Sequence, residues 1–202
     1  YGFKDLKDPN AYNPERSKQL LAEDGWKDTD GDGILDKDGK PLTFDFVVYN
    51  SRAELPLYAE AVQADLKKVG IDMKIKTVDY NLIDKMGQDG DYDMLISNIV
   101  TANTGDPIWF LANYWHTNNN GSNPQNGSGY SNPQVDQLLD AAETEFDPAK
   151  RRDYAIQIQQ LLMNDGAALF LGYPKTNIVT GSYLKGAVMY PCLLYTSPSP
   201  RD

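Results

Sequence analysis

Apolar residues recur three or four positions apart in several segments, which is the spacing of a helix with one buried face. Pro14 and Pro148 stand where helices commonly begin, and Gly70 stands where a helix commonly ends. The pattern predicts helices over residues 13–26, 54–70, 81–90, 134–146 and 147–165.

The segments between the first helices have the composition of strands. Residues 42–49 form a β-rich run that follows a turn-rich hairpin, and 71–80 alternate apolar with charged side chains. Residues 91–100 form a continuous apolar run suited to a buried strand. Strands separated by helices predict βαβ units with parallel, right-handed crossovers. We therefore predict an α/β fold with a parallel-rich sheet flanked by helices.

A long polar region, 101–133, follows the last of these strands and carries a group of aromatic residues near its start. Its tip, 117–129, consists almost entirely of Asn, Gly and Ser, which predicts an exposed loop. Two further short β-rich runs are predicted over 166–181, around Pro174.

Charge narrows the classes of ligand. The 202 residues include 29 acidic and 19 basic side chains, and the formal net charge is −10. Nucleic-acid binding relies on basic surfaces that neutralise phosphates, so we expect no nucleic-acid partner. Apolar stretches such as 94–96 and 167–171 are far shorter than the roughly 20 residues that cross a bilayer. We expect a ligand that is small and neutral or cationic.

Both ends of the chain suggest a piece of a longer protein. The sequence begins at Tyr1 with neither a Met nor the pattern of a signal peptide. Residues 192–202 have no helix or strand period and look like the translation of a sequencing adapter. We therefore expect a native segment, 1–191, followed by a non-native tail. The single Cys, Cys192, belongs to that tail and enters no functional argument.

Five strings, in order, carry a resemblance to a known family. They are NPERSKQLLAEDGW at 13–26, KDTDGDGILDKDGKPL at 27–42, LKKVGIDMKIKTVDY at 66–80, TGDP at 104–107 and GYSNPQVDQLLDAA at 129–142. Over about residues 11–190 the chain resembles the C-terminal part of the extracytoplasmic solute-binding proteins of peptide, nickel and related ABC importers.

The resemblance implies one lobe of a periplasmic-binding-protein type II fold, in a receptor whose two lobes close on a ligand. It implies capture of short peptides or another small solute and delivery to ABC permease subunits, with no cofactor. Family members are more than twice as long, so the opposing lobe and an N-terminal signal or lipid anchor would lie outside this chain. The implied location is the periplasm or, through that anchor, the outer face of a membrane.

Asp106 is the strongest candidate for ligand contact. It follows Gly105 in TGDP, after the apolar run 91–100, where open α/β sheets place ligands. The resemblance implies that an Asp here pairs with the α-ammonium of a bound peptide. The alternative is that the carboxylate of Asp106 caps the helix that starts at Pro107.

Aromatic residues near Asp106 are further ligand-contact candidates. Trp109, Phe110, Trp115 and Tyr130 would supply flat apolar walls that accept varied side chains. Their helical spacing equally predicts core positions. Asn132, like Ser131, could donate to a ligand, although a turn before the helix at Pro133 explains both.

The acidic segment 28–36 has part of the spacing of a calcium loop, with Gly33 at the sixth position. Its twelfth position is Gly39, where an EF-hand supplies a bidentate Glu. We favour a hairpin whose Asp and Gly residues satisfy tight turns, and metal binding is the alternative. The candidate ligands are Asp28, Asp30, Asp32 and Asp36.

Two basic features have simple interpretations. His116, the lone histidine, is a candidate metal or chelate ligand, but its place beside the Asn-rich loop favours a solvated residue. The basic run 150–152 is predicted to be a solvated helix face.

Catalysis is not indicated. The native segment offers no Cys, one His and no Ser in a GxSxG turn, although a pair of carboxylates is not excluded by counting. We predict a binding protein and not an enzyme. A nickel or metallophore-chelate binding protein of the same family is the alternative, and a sensory or secreted hydrolase module is a more distant one.

Overall fold

The computed structural model describes residues 3–99, 101, 106–119, 121–173, 179–184 and 186. Its strands are β1 (Asp36–Lys37), β2 (Lys40–Pro41), β3 (Thr43–Tyr49), β4 (Asp72–Val78) and β5 (Met94–Leu95). Its α-helices are α1 (Pro14–Glu23), α2 (Glu54–Lys67), α3 (Ile83–Asp89), α4 (Pro107–Trp115), α5 (Pro133–Thr144) and α6 (Pro148–Asn164). Short 3-10 helices span Phe3–Asp5 and Tyr80–Leu82.

A parallel three-stranded sheet, in the order β4-β3-β5, organises the first half of the chain. The central strand β3 pairs with β4 along its whole length, from Thr43 opposite Asp72 to Tyr49 opposite Val78. Residues 46–49 are buried on both faces, as expected of a strand covered by helices. The predicted α/β class and parallel pairing are confirmed.

β5 is much shorter than the predicted strand over 91–100. Within 91–99, the described part of that range, only Met94 and Leu95 lie in the ladder, opposite Phe46 and Val47 of β3. The next amide, that of Ile96, still donates to the carbonyl of Val47. The amide of Asn98 then donates to the phenol oxygen of Tyr49, because the chain has left the sheet by this point.

Gly70 joins α2 to β4 at a position where any side chain would be strained. Its φ of +84° lies in the left-handed region, and a Cβ there would lie 2.6 Å from Cγ of Leu35. The carbonyl of Gly70 accepts a hydrogen bond of 2.8 Å from the amide of Leu35. The β1–β2 hairpin segment is thus held against the end of α2.

A second core lies between α4, α5 and α6. Each helix begins with an Asx residue followed by Pro, and each Asx side chain accepts from a backbone amide two residues later. The buried residues that these helices contribute are Ile108, Leu111, Trp115, Val135, Leu139, Ala142, Ala155, Ile158 and Leu162. The predicted helices over 134–146 and 147–165 are confirmed within two residues at each end.

Most of the described residues in the predicted loop 117–129 are exposed, as expected, but Asn126 is buried. Asn126 is only 4% exposed and donates to the carbonyls of His116 and Tyr130, at 2.9 and 2.8 Å. Asn123 donates to the same His116 carbonyl at 2.7 Å. Side-chain amides of asparagine therefore supply the hydrogen bonds that backbone carbonyls would otherwise receive in secondary structure. The prediction of an exposed tip is wrong for Asn126.

The two β-rich runs predicted over 166–181 are not strands in the described part of that range. Residues 167–173 are irregular, and 174–178 lie outside the described residues. Leu169 and Phe170 are exposed instead of packed in a sheet, and a β-rich composition forms a strand only where a partner strand is available. In the described ranges, no helix is long and apolar enough to cross a membrane.

Candidate functional site

Asp106 caps α4, as the capping alternative predicted. Its backbone is extended, with φ −108° and ψ 116°, and Oδ1 accepts a 3.0 Å hydrogen bond from the amide of Ile108. Pro107 occupies the first helical position, where its missing N–H costs nothing. Gly105, the residue paired with Asp106 in the prediction, lies outside the described residues.

Arg151 reaches the other carboxylate oxygen of Asp106. Its Nη2 donates to Oδ2 of Asp106, and its Nη1 donates to the carbonyls of Ala142 and Glu145. The prediction of a solvated basic run is wrong for Arg151, whose side chain is 23% exposed, compared with 64% for Lys150 and 47% for Arg152. Arg151 is partly buried because its guanidinium donates to backbone carbonyls at the carboxyl end of α5 and to Asp106, whereas Lys150, among the described residues, reaches only the side chain of Glu145.

Trp109 and Phe110 lie one turn beyond Asp106 on α4 but have different surroundings. Trp109 is 38% exposed. Phe110 packs on the second core, with its ring centroid 5.1 Å from that of Tyr114. Trp115, the last residue of α4, is buried in that core. The core alternative is therefore confirmed for Trp115 and in part for Phe110.

Tyr130 and Asn132 form a second group at the opposite end of α4. The ring of Tyr130 meets Trp115 edge-on, with centroids 5.8 Å apart. Both Tyr130 Oη and Asn132 Nδ2 donate to Oδ2 of Asp165, at 2.6 and 2.8 Å. Oδ1 of Asn132 caps α5 by accepting from the amide of Gln134, so both side chains have structural partners.

Burial and the hydrogen bonds of the second group shift the pKa values of Tyr130 and Asp165. Burial raises the pKa of Tyr130 to about 12, and the hydrogen bond to Asp165 adds to the rise. Hydrogen bonds from Tyr130 and then Asn132 lower the pKa of Asp165. At neutral pH the cluster therefore holds one carboxylate and one neutral phenol.

The two groups are separated by the length of α4. Nine residues at 1.5 Å each put roughly 13 Å between the turn at Asp106 and the turn at Trp115. The predicted ligand contacts are thus split, with Asp106 and Trp109 at one end and Tyr130 at the other.

His116 directly follows α4 and is less solvated than predicted. Its side chain is 33% exposed, with Nε2 3.2 Å from Asp140 Oδ1 and Nδ1 3.7 Å from Asp136 Oδ1. Burial alone would lower the pKa of His116. The Thr117 carbonyl and the two carboxylates outweigh this effect, so its pKa is raised.

The acidic hairpin segment satisfies its own turns. Asp28 accepts from the amides of Gly31 and Gly33, at 2.7 and 3.0 Å. Carboxylate oxygens of Asp28, Asp30 and Asp36 lie within 4.8 Å of one another, while Asp32 is outside that group and accepts from the amide of Ile34. The preferred hairpin interpretation matches these bonds, and metal binding stays an untested prediction.

Polar groups at the carboxyl edge of the sheet were not among the predicted residues. Tyr49 ends β3, Tyr80 follows β4, and their rings meet edge-on at 5.1 Å. Asn98 follows β5, and its backbone amide donates to the phenol oxygen of Tyr49. Its side-chain Nδ2 donates to Oε1 of Glu54 at 3.5 Å. Burial raises the pKa of Tyr49. The rule that open α/β sheets bind ligands at their carboxyl edge would have selected all three positions.

Residues 1–122 match the family model described as bacterial extracellular solute-binding proteins, family 5 Middle. The chain belongs to this family. It is 31% identical over 196 residues to the oligopeptide-binding protein AppA of Bacillus subtilis, a match that covers 93% of this chain and 34% of AppA. It is 33% identical over 156 residues to the probable D,D-dipeptide-binding periplasmic protein DdpA of Escherichia coli, covering 76% of this chain and 30% of DdpA.

Solved structures of family relatives share the fold. B. subtilis AppA in complex with a nonapeptide superposes with a TM-score of 0.70 at 30% identity, over 81% of this chain and 32% of AppA. NikA from Brucella suis in complex with Fe(III)-EDTA superposes with a TM-score of 0.68 at 26% identity, over 82% of this chain and 33% of NikA. The fold is therefore that of one lobe of a periplasmic binding protein. The chain spans about a third of the length of the curated relatives that it matches.

Proposed function

We propose that this chain is part of the extracytoplasmic substrate-binding component of an ABC importer, and that the ligand is a short peptide. The observation that carries the proposal is the likeness to AppA in both sequence and structure, because AppA is an oligopeptide-binding protein whose structure holds a nonapeptide. The protein works in the periplasm or anchored outside the membrane, and it hands its ligand to the permease subunits. Its role is binding, as in the rest of the family, and not catalysis.

The peptide lies along α4 in this proposal. The roughly 13 Å between the two ends of this helix matches about four residues of extended peptide at 3.3 to 3.6 Å each. Asp106 and Gly105 contact one end of the peptide, Trp109 and Phe110 provide apolar area for its side chains, and Tyr130 and Asn132 lie near its other end. Such apolar area accepts many side chains because it imposes little fixed geometry.

Closure of two lobes completes the site. Residues 1–191 form part of the C-terminal lobe, the opposing lobe comes from the rest of a longer polypeptide, and 192–202 take no part. Closure around a ligand is a hinge motion in which each lobe supplies one wall of the cleft.

Native mass spectrometry of the complete gene product tests the proposal. The protein is purified without unfolding, so that a bound ligand is retained, and is compared with the same protein after unfolding and refolding. We expect a spread of adducts with peptide masses that the refolded protein lacks and regains when di- to tetrapeptides are added. A single adduct with a metal isotope pattern would assign the protein to chelate transport instead. Failure to bind any added peptide would overturn the proposal.

A further inference from the structure

Arg151 connects three helices at the end of the proposed site that holds Asp106. It lies in the first turn of α6, where its backbone amide donates to the carbonyl of Asp147. Its guanidinium donates to two carbonyls at the carboxyl end of α5 and to the cap residue of α4. The rigid fork of donors in arginine makes this three-way contact possible, whereas lysine offers a single charged nitrogen.

The hydrogen-bond acceptors that the guanidinium of Arg151 meets among the described residues are all negative. Asp106 carries a formal charge, and the carbonyls of Ala142 and Glu145 lie at the end of α5, where the helix dipole is negative. Oδ1 of Asp106 already accepts from the amide of Ile108. Each oxygen of the Asp106 carboxylate therefore has a protein donor before any ligand arrives.

This pairing changes what Asp106 offers to a ligand. A bare carboxylate would select strongly for a free ammonium, whereas an ammonium that approaches the Asp106–Arg151 pair meets a group with no net charge. The pair is partly exposed, with 39% of Asp106 and 23% of Arg151 accessible, so a ligand at the amino end of α4 can still sense both charges.

We propose that Arg151 is a positioning residue that sets the charge selectivity of the peptide site. It holds Asp106 and offsets its charge, so that this end of the site takes peptides with a blocked amino terminus as well as free ones. The inference rests on the proposed function and adds to it the class of peptide that is accepted.

The test compares two ligands that differ in one charge. The complete gene product is titrated by calorimetry with the tripeptide Ala-Phe-Ala and with its N-acetyl form, and the ratio of the two dissociation constants is recorded. For the unaltered protein we expect N-acetylation to weaken binding by less than about tenfold, since the local pair is neutral.

Variants of the pair should move this ratio in opposite directions. Arg151→Gln leaves the charge of Asp106 uncompensated and should raise the ratio of the acetylated to the free dissociation constant by about tenfold. Asp106→Asn leaves the charge of Arg151 uncompensated and should lower that ratio by about tenfold. The double variant carries no net charge and should return to the ratio of the unaltered protein. Arg151→Lys keeps the charge and loses the three-way contact, so it should keep that ratio even if it weakens the binding of both ligands.

Arg152→Gln is the matched control, because Arg152 is the next residue on α6 and pairs with Asp5 instead of Asp106. It should leave the ratio unchanged. A purely structural role for Arg151 would weaken both ligands equally and leave the double variant no better than the singles, which would overturn the inference.

Two further outcomes are distinguishable. If Arg151→Gln does not fold, Arg151→Lys and the double variant still decide the question, since a changed ratio in either contradicts charge compensation. If the unaltered protein binds neither tripeptide, the proposed function itself fails and the inference fails with it.

Discussion

The phenol of Tyr130 donates a 2.6 Å hydrogen bond to Asp165, which lies 35 positions later and immediately after α6. The same oxygen of Asp165 accepts from Asn132, the cap of α5. One carboxylate therefore joins the start of α5 to the end of α6. Two residues that the sequence marks for ligand contact are thereby fixed in place by the protein itself.

Removal of the phenol should weaken this junction. Tyr130→Phe keeps the ring on Trp115 but loses the bond to Asp165, so we expect the free energy of unfolding to fall by about 1 kcal/mol in urea titrations. Tyr12→Phe is the control, because Tyr12 is 70% exposed and its bond to Asp65 is long, at 3.3 Å. An equal effect of the two substitutions would show that the hydrogen bond to Asp165 contributes nothing to the free energy of unfolding.

Alkaline pH should remove the contribution of Tyr130. Its pKa is raised from 10.0 to about 12 by folding, so the unfolded chain loses this proton at lower pH than the folded protein does. The contribution is complete below pH 10 and is lost as the pH rises from 10 to about 12. The difference in unfolding free energy between the unaltered protein and Tyr130→Phe should shrink over that interval. A difference that does not change with pH would refute this account.

His116 should titrate above the ordinary value of 6.5. Its pKa is raised in the folded protein, so the charged imidazolium stabilises the fold fully below pH 6.5, and this contribution is lost as the pH rises through the raised pKa. The chain has a single His, so its ring protons report one titration by NMR. Asp140→Asn should lower the midpoint. A midpoint at or below 6.5 in the unaltered protein would contradict the geometry.

The two roles of Asp106 in stability should separate by substitution. Asp106→Asn retains an oxygen for the Ile108 amide and loses the charge, whereas Asp106→Ala loses both the cap and the partner of Arg151. We expect Asp106→Ala to lower the free energy of unfolding by about 1 kcal/mol more than Asp106→Asn, which is the usual value of a cap. Equal losses in chemical denaturation would mean that the cap contributes nothing.

Gly70→Ala should be costly for two reasons, a left-handed backbone and a Cβ placed 2.6 Å from Leu35. Gly90→Ala is the matched control, since Gly90 has a similar φ of +70° and a Cβ added there would meet nothing within 4 Å. We expect a loss of about 1 kcal/mol for Gly90→Ala and at least about 1 kcal/mol more for Gly70→Ala. The difference in melting temperature between the two variants measures the effect of the contact between the added Cβ and Leu35. Similar losses in the two variants would show that this contact costs nothing.

Helix positions were predictable because their signals are local. Helices α1 and α6 begin at Pro14 and Pro148, where the sequence indicates. Asn13 and Asp147 cap them by bonding to amides only two or three residues away. The capping role of Asp106 was among the predicted alternatives for the same reason. The strand over 91–100 was overestimated, because the chain leaves the ladder after Leu95 although β3 continues to Tyr49.

The candidate site depended more heavily on distant residues. The burial of Arg151 could not be distinguished from that of Lys150 or Arg152 in the sequence, because all three are basic and adjacent. Hydrogen bonds to backbone carbonyls at the end of α5 and to Asp106, 45 positions away, make Arg151 different. The same holds for Asp165, which bonds to Tyr130 across 35 positions.

The sequence by itself determined the period of each main element, the helix caps, the α/β class and the resemblance that the family match confirms. These features follow from the residues within one segment and from their order along the chain. Only the tertiary structure decided which side chain of the basic run is least exposed, which Asn in the loop is buried, and how the predicted ligand contacts divide between the two ends of α4. Those outcomes depend on contacts between segments far apart in the chain, which no local pattern records.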